Sequence, residues 1–170
     1  QLMQDIGLLR LHVVLAIDRA GLVGDDGPTH HGVFDVGFLR QVPGMKILCP
    51  SSHSELSEML RWAVLECDGP VAVRYPRGSE GAFRAKAWDP QSSLERWYNG
   101  TDAAIITYGS LMNQAMEAAE QLKAIGIHVT VIRLTGLDTH LADSLEDLGC
   151  GIKNFVILEE ATAGAAESIA

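Results

Sequence analysis

Short apolar runs separated by polar and glycine-rich segments divide the chain into alternating strand-like and helix-like stretches. Residues 13–17 (Val-Val-Leu-Ala-Ile) read as a buried strand. Residues 36–41 suggest a short helix closed by Pro43-Gly44, and residues 45–49 a short strand. Ser52 with Glu55 forms a capping-box pattern, and Leu56, Met59, Leu60, Ala63 and Val64 recur at helical spacing, which predicts one apolar stripe. That helix should stop at Asp68-Gly69-Pro70 and be followed by a strand over 71–75, ended by Pro76. From 78 to 100 the periodicity vanishes, and Trp88 and Trp97 are expected to dock a linker there. A strand over 103–107 then restarts the pattern. It leads to a helix with Leu111, Ala115, Ala118, Leu122 and Ile125 on one face, a strand over 127–134, a helix over 141–148 and a strand from Phe155.

Strand, loop, helix, strand in this order is the parallel α/β pattern. The fold class expected is α/β: two three-layer units with mostly parallel sheets, residues 1–78 and 101–170, joined by a linker over 79–100. The chain opens at Gln1 within an amphipathic pattern (Leu2, Ile6 and Leu9 on one side) and stops soon after a strand, so it reads as part of something longer.

At 170 residues and 47% hydrophobic content there is material for a proper core. The apolar runs fall far short of the roughly 20 residues that span a bilayer, and no signal-peptide pattern is visible, so a cytoplasmic location without membrane contact is expected. Three cysteines, Cys49, Cys67 and Cys150, without CxxC spacing argue for a reducing compartment. A formal charge of -9 argues against nucleic acid as a partner. In so acidic a chain, a bound phosphate must be held by a few placed cations.

The densest chemistry lies in residues 18–35, where the first strand delivers the chain into Asp-Arg-Ala-Gly-Leu-Val-Gly-Asp-Asp-Gly-Pro-Thr-His-His-Gly-Val-Phe-Asp. Loops leaving the carboxyl ends of strands are where α/β proteins place catalytic groups. Arg19 follows one strand; Arg74 and Arg77 bracket the end of another. If both strands open on the same edge, Arg19 and Arg77 can converge as a planar-fork clamp for a phosphate; the plainer alternative for Arg19 is a local ion pair with Asp18. Asp26 and His30, separated by Gly-Pro-Thr, can face one cavity as a carboxylate that holds a hydroxyl and an imidazole that moves a proton. The plainer alternative is an Asp-Gly-Pro turn with His30 hydrogen-bonded inside it. His31 is a weaker candidate, His12, His53, His128 and His140 read as surface or helix residues, and Asp35 is expected to help cap the helix after it. No dinucleotide, P-loop, zinc-protease or nucleophile-elbow motif occurs, and no metal cage is apparent.

These residues resemble a known family. The runs from Asp18 to Gly24, Asp26 to His30 and Gly32 to Asp35, followed by Pro43-Gly-Met45, Pro50-Ser51, Gly69-Pro70 and Arg74-Tyr-Pro-Arg-Gly78, are similar to the 1-deoxy-D-xylulose-5-phosphate synthases, transketolase-like enzymes that depend on thiamine diphosphate. The resemblance is tight through Gly78 and looser as far as Glu160. It implies the latter part of a pyrimidine-binding domain over 1–78 and part of a transketolase C-terminal domain over 101–170. It also implies a homodimeric transferase that condenses pyruvate with glyceraldehyde 3-phosphate, with loss of carbon dioxide, for isoprenoid, thiamine and pyridoxal biosynthesis. Arg19 and Arg77 match the family's phosphate-binding arginines, and Asp26 and His30 the residues that contact the substrate; Arg74 also matches, without an assigned role. The cofactors implied are thiamine diphosphate and Mg2+. Their main binding motifs, including the cofactor-activating Glu, have no counterpart here, so the segment alone is expected to be inactive. A transketolase, a 2-oxo-acid dehydrogenase β-subunit and a non-catalytic phosphometabolite- or partner-binding module remain alternatives.

Overall fold

The computed structural model describes residues 1–85, 87–137 and 151–166. After a π-helical segment at Leu2–Gly7, the first half contains β1 (Val14–Ile17), α1 (Asp35–Leu39), β2 (Lys46–Leu48), α2 (His53–Leu65) and β3 (Val71–Arg74). Its three strands are all parallel, in the order β1-β3-β2, with Ile17 opposite Arg74. The second half contains β4 (Leu94–Trp97), β5 (Ala103–Tyr108), α3 (Met112–Ala124), β6 (Val129–Leu134) and β7 (Phe155–Leu158). Its sheet runs β4-β6-β5-β7, parallel except for β4. The α/β class with mostly parallel sheets is therefore correct. The expected helix over 141–148, like His140 and Cys150, lies outside the described residues.

Local chemistry explains the clearest elements. The Ser52 hydroxyl accepts from the Glu55 backbone N–H and caps α2 as its spacing predicts. The reciprocal half of the box shifts by one residue, because the Glu55 carboxylate accepts from the Ser51 N–H, at 2.7 Å. Met59 and Ala63 are fully buried against Leu48, Val71 and Val73, each large side chain so placed contributing about 1.5–3 kcal/mol. Val64 is 55% exposed, so the apolar stripe is narrower than its periodicity suggests. On α3 the buried face is Met112, Ala115 and Ala119. Ile125, expected on that face, is exposed because it is the C-cap, where the backbone has already left the helix.

Two expectations need correction. The linker expected over 79–100 contains a strand: β4 lies antiparallel on the edge of the second sheet, with Trp97 opposite Val131. The docking of its two tryptophans does occur, Trp88 edge-on to Trp62 at 5.4 Å and Trp97 to Phe83 at 5.0 Å between centroids. Strand β1 is half-buried rather than buried, since it forms an edge of its sheet.

The two halves share one core. A single apolar cluster joins Ile47 and Ala72 of the first sheet, Ile106, Ile132 and Leu134 of the second, and Val36 and Leu39 of α1. The free edge of β2 is closed by the chain after β6: Cys49 N donates to Thr135 O and Leu137 N to Ile47 O, both at 2.9 Å. Across this junction the Glu55 carboxylate meets Arg133 of β6 at 2.6 Å, both side chains at most 1% exposed.

Candidate active site

Because β1 and β3 are parallel neighbours, their carboxyl ends open side by side, and the chain leaving β1 remains tied to the end of β3 through Ala20 N donating to Tyr75 O at 3.1 Å. That pairing brings Arg19 and Arg77 together. Arg19 Nε donates to Asp26 Oδ2 at 2.8 Å, and Arg77 Nη1 donates to Asp26 Oδ1. Arg19 also pairs with Asp18 at 2.5 Å, so the local ion pair and the longer-range convergence coexist. The anion between the two guanidinium groups is thus the Asp26 carboxylate. Arg77, and after it Arg19, hold the Asp26 carboxyl below the usual carboxylate range.

The loop is built by close backbone approach. Arg19 adopts a left-handed conformation, φ 58°. Gly32 folds back on it, donating to Arg19 O and to Gly21 O, both at 3.0 Å, while Gly21 N donates to Gly32 O. A Cβ on Gly32 would overlap the Arg19 carbonyl, so only glycine fits. Gly24–Asp26 and Pro28–His30 form consecutive 3-10 turns. His30 lies exposed on the second, with Nδ1 3.0 Å from the hydroxyl of its neighbour Thr29, while Asp26 is taken by the arginines. His31 is structural: its Nδ1 accepts from Val23 N at 2.9 Å, which leaves the ring proton on Nε2.

Asp35 does not act as the expected helix cap. The N-cap of α1 is Phe34, and Asp35 instead accepts from Arg74 Nε at 2.7 Å in a buried ion pair. Arg74 also donates to Gly32 O at 2.6 Å and to Glu160 O at 3.4 Å, which gives this arginine a role in anchoring the loop. The second half completes the clasp, with Thr162 N donating to Val33 O and Arg40 Nη1 to Gly164 O, both at 2.8 Å. Glu160 stacks its carboxylate over Gly21, and Glu159 accepts from the Tyr108 hydroxyl at 3.1 Å and Ala165 N at 2.7 Å. These contacts were not visible as site features in the sequence; the available signal was that Tyr108 ends one strand and the two glutamates follow another. Beneath them lies Cys49, whose thiol burial pushes up to about 12.

A cleft of about 160 Å³ lies past the carboxyl end of β3, between Ser52, His53, Tyr75, Pro76 and Ser110. A larger hollow of about 450 Å³, bordered by Tyr98, Lys123 and His128, opens at the amino ends of β5 and β6. Neither is lined by Arg19, Asp26 or Arg77, so the candidate site is identified by the convergence of charge at the carboxyl ends of β1 and β3 rather than by a cavity. Among the described residues no three His, Cys, Asp or Glu side chains gather as a metal cluster, so these residues do not fit a magnesium seat. None of the described helices is long and apolar enough to cross a membrane.

Two neighbouring parallel strands whose joined exits carry the Arg19–Asp26–Arg77 cluster, followed by a second, mixed sheet, make up an α/β architecture that the family models assign to the transketolase class. Residues 1–81 match the transketolase pyrimidine binding domain and residues 93–170 the transketolase C-terminal domain; the chain belongs to the transketolase family. Among curated proteins it is similar to 1-deoxy-D-xylulose-5-phosphate synthases. The Chlorobium luteolum enzyme is 46% identical over 85% of this chain and 24% of its own length, and that of Gloeobacter violaceus 41% over 83% and 23%. The chain thus spans about a quarter of these relatives. Among solved structures, a split-gene transketolase described as an inactive beta4 tetramer superposes with TM-score 0.82 at 25% identity, covering 99% of this chain and 55% of that one. A transketolase from Campylobacter jejuni shares the fold at TM-score 0.79 and 17% identity, over 96% of this chain and 27% of that one.

Proposed function

We propose that this segment supplies the acceptor side of a 1-deoxy-D-xylulose-5-phosphate synthase site. Pyruvate loses carbon dioxide, and its remaining two-carbon unit joins the aldehyde carbon of glyceraldehyde 3-phosphate to give 1-deoxy-D-xylulose 5-phosphate. The observation that carries the reading is the convergence of Arg19 and Arg77, from two strand exits, on one anion. Paired guanidinium forks match a phosphate's oxygens. With the phosphate seated there, Asp26 accepts a substrate hydroxyl and His30 delivers a proton to the aldehyde oxygen as the carbon–carbon bond forms. This chain's residues therefore bind, orient and protonate the acceptor; no step is assigned to them on the cofactor, and Mg2+ belongs to the proposal with it. A cytoplasmic homodimer serving isoprenoid, thiamine and pyridoxal biosynthesis completes the reading, supported by the similarity to the synthases.

The test is made in the full chain that carries this segment, assaying carbon dioxide release that requires both pyruvate and glyceraldehyde 3-phosphate. Arg77→Ala should raise KM for the phosphorylated aldehyde about ten- to hundredfold, the effect of losing a charge-assisted contact. KM for pyruvate and turnover of unphosphorylated glyceraldehyde should change little. Equal losses with both aldehydes would make Arg77 a structural residue.

A further inference from the structure

The cations and the anion of the central triad are mounted differently. Arg19 sits at the base of its loop, held by the bond from Gly32 N and by the adjacent tie of Ala20 to Tyr75. Arg77 follows β3 directly past Tyr75 and Pro76. Asp26, by contrast, ends a single 3-10 turn between Gly24 and Gly27. A Cβ at either glycine would meet nothing within 4 Å, and Gly27 has φ +78°, so the segment bearing the carboxylate is both glycine-hinged and unpacked. The Asp26 side chain is 16% exposed, whereas those of Arg19 and Arg77 are 39% and 52% exposed and face solvent beside it. Each guanidinium has five N–H donors, of which the carboxylate takes one.

We propose that Asp26 is an internal anion that occupies the Arg19–Arg77 seat until a doubly charged ligand displaces it, making Asp26 a specificity-determining residue for phosphorylated acceptors. The inference rests on the reading of Arg19 and Arg77 as a phosphate seat. Two guanidinium charges opposed by Asp18 and Asp26 leave the resting seat locally neutral, so an uncharged acceptor gains nothing by entering. A dianion interacts with each guanidinium about twice as strongly as the single carboxylate charge does. The glycine hinges let the carboxylate yield. Once displaced, Asp26 is free to accept a substrate hydroxyl, which couples phosphate recognition to completion of the site.

Sulfate is a suitable probe, because its charge is constant through neutral pH and it has no reactive group. Calorimetric titration of the full chain at low ionic strength measures its affinity, and only the part abolished by Arg77→Ala reports on the seat. Asp26→Asn should tighten that part by about tenfold, since a charged competitor becomes a neutral one. Asp26→Ala, which removes the acceptor altogether, should tighten it at least as much and keeps the test open if the amide disorders the turn. Unchanged or weaker sulfate binding in both variants would show that Asp26 organises the arginines instead of competing with ligand, and would overturn the proposal while leaving the seat intact. Sulfate binding that is insensitive to Arg77→Ala in every background would overturn the seat as well.

Discussion

Arg133 is the most consequential charge outside the candidate site, and its replacement by Met offers a sharp test of how the two halves are joined. The side chain is 0% exposed; its Nη1 lies 2.6 and 2.7 Å from the two oxygens of Glu55 and 3.3 Å from the Ser51 hydroxyl, while Nη2 lies 2.8 Å from Glu95. A buried ion pair adds little net stability, because desolvation offsets its attraction. Removing one partner is different, since the other charge is left stranded. Glu95, 22% exposed, can recover water; Glu55, 1% exposed, cannot. Met preserves most of the apolar stem, so the loss should come from the stranded carboxylate, about 3–5 kcal/mol. Urea unfolding followed by the fluorescence of Trp62, Trp88 and Trp97 should show the midpoint fall with the slope unchanged. Adding Glu55→Gln should recover much of the loss, because the amide oxygen still accepts from Ser51 N without a buried charge. A loss below about 1 kcal/mol for Arg133→Met, within the range of an exposed pair, or a double variant no more stable than the single, would refute this account.

Three further outcomes follow from the same structure. Burial holds the Cys49 thiol at about 12, so about one molecule in ten thousand carries the thiolate at pH 8. Iodoacetamide should therefore leave the Cys49 peptide unmodified in the folded protein and label it in urea; rapid native labelling by peptide mass mapping would contradict the burial. Because this folded pKa is raised, the stability linked to the retained proton is complete below the unfolded value, about 8.5, and is lost as pH rises towards 12. His30→Asn in the full chain should lower kcat about 10²–10⁴-fold with little change in Tm, the side chain being exposed. Unchanged turnover would return His30 to a turn-building role.

What the sequence disclosed was set by how local the determining forces are. Strands β3, β5 and β6 appear as apolar runs because both of their faces are covered, and α2 appears because its cap and its Met59–Ala63 face are encoded within a few turns. Strand β4 was hidden because Leu94–Trp97 alternates only briefly within a polar stretch and becomes a strand by pairing with β6, about forty residues away in sequence. Val64 and Ile125 were misplaced for a related reason: helical periodicity identifies the centre of a face, while its borders depend on what packs against them. Arg133 interrupts the apolar pattern of a fully buried strand, and only its partners on another helix and another strand account for it.

The site loop shows the same division between chemistry and pairing. Strand order explains why Arg19 and Arg77 meet, since residues just beyond the ends of adjacent parallel strands have to be neighbours. Which carboxylate meets which arginine is not determined at that level. Asp35 lies beside a helix start and reads as a cap, yet the cation buried beneath it is Arg74, 39 positions away, and a desolvated charge requires a partner more strongly than an exposed helix end does. Arg77, half exposed, is under no such demand and takes Asp26 across 51 positions because the loop carries it there. The glycines decide how the loop arrives: Gly32 admits the Arg19 backbone and Gly21 admits the Glu160 carboxylate. Their density in 18–35 therefore marks where chain segments must approach closely, and it is the buried Arg74, together with the clasp from 159–165, that holds the loop bearing Arg19 and Asp26 against the end of β3, where Arg77 meets it.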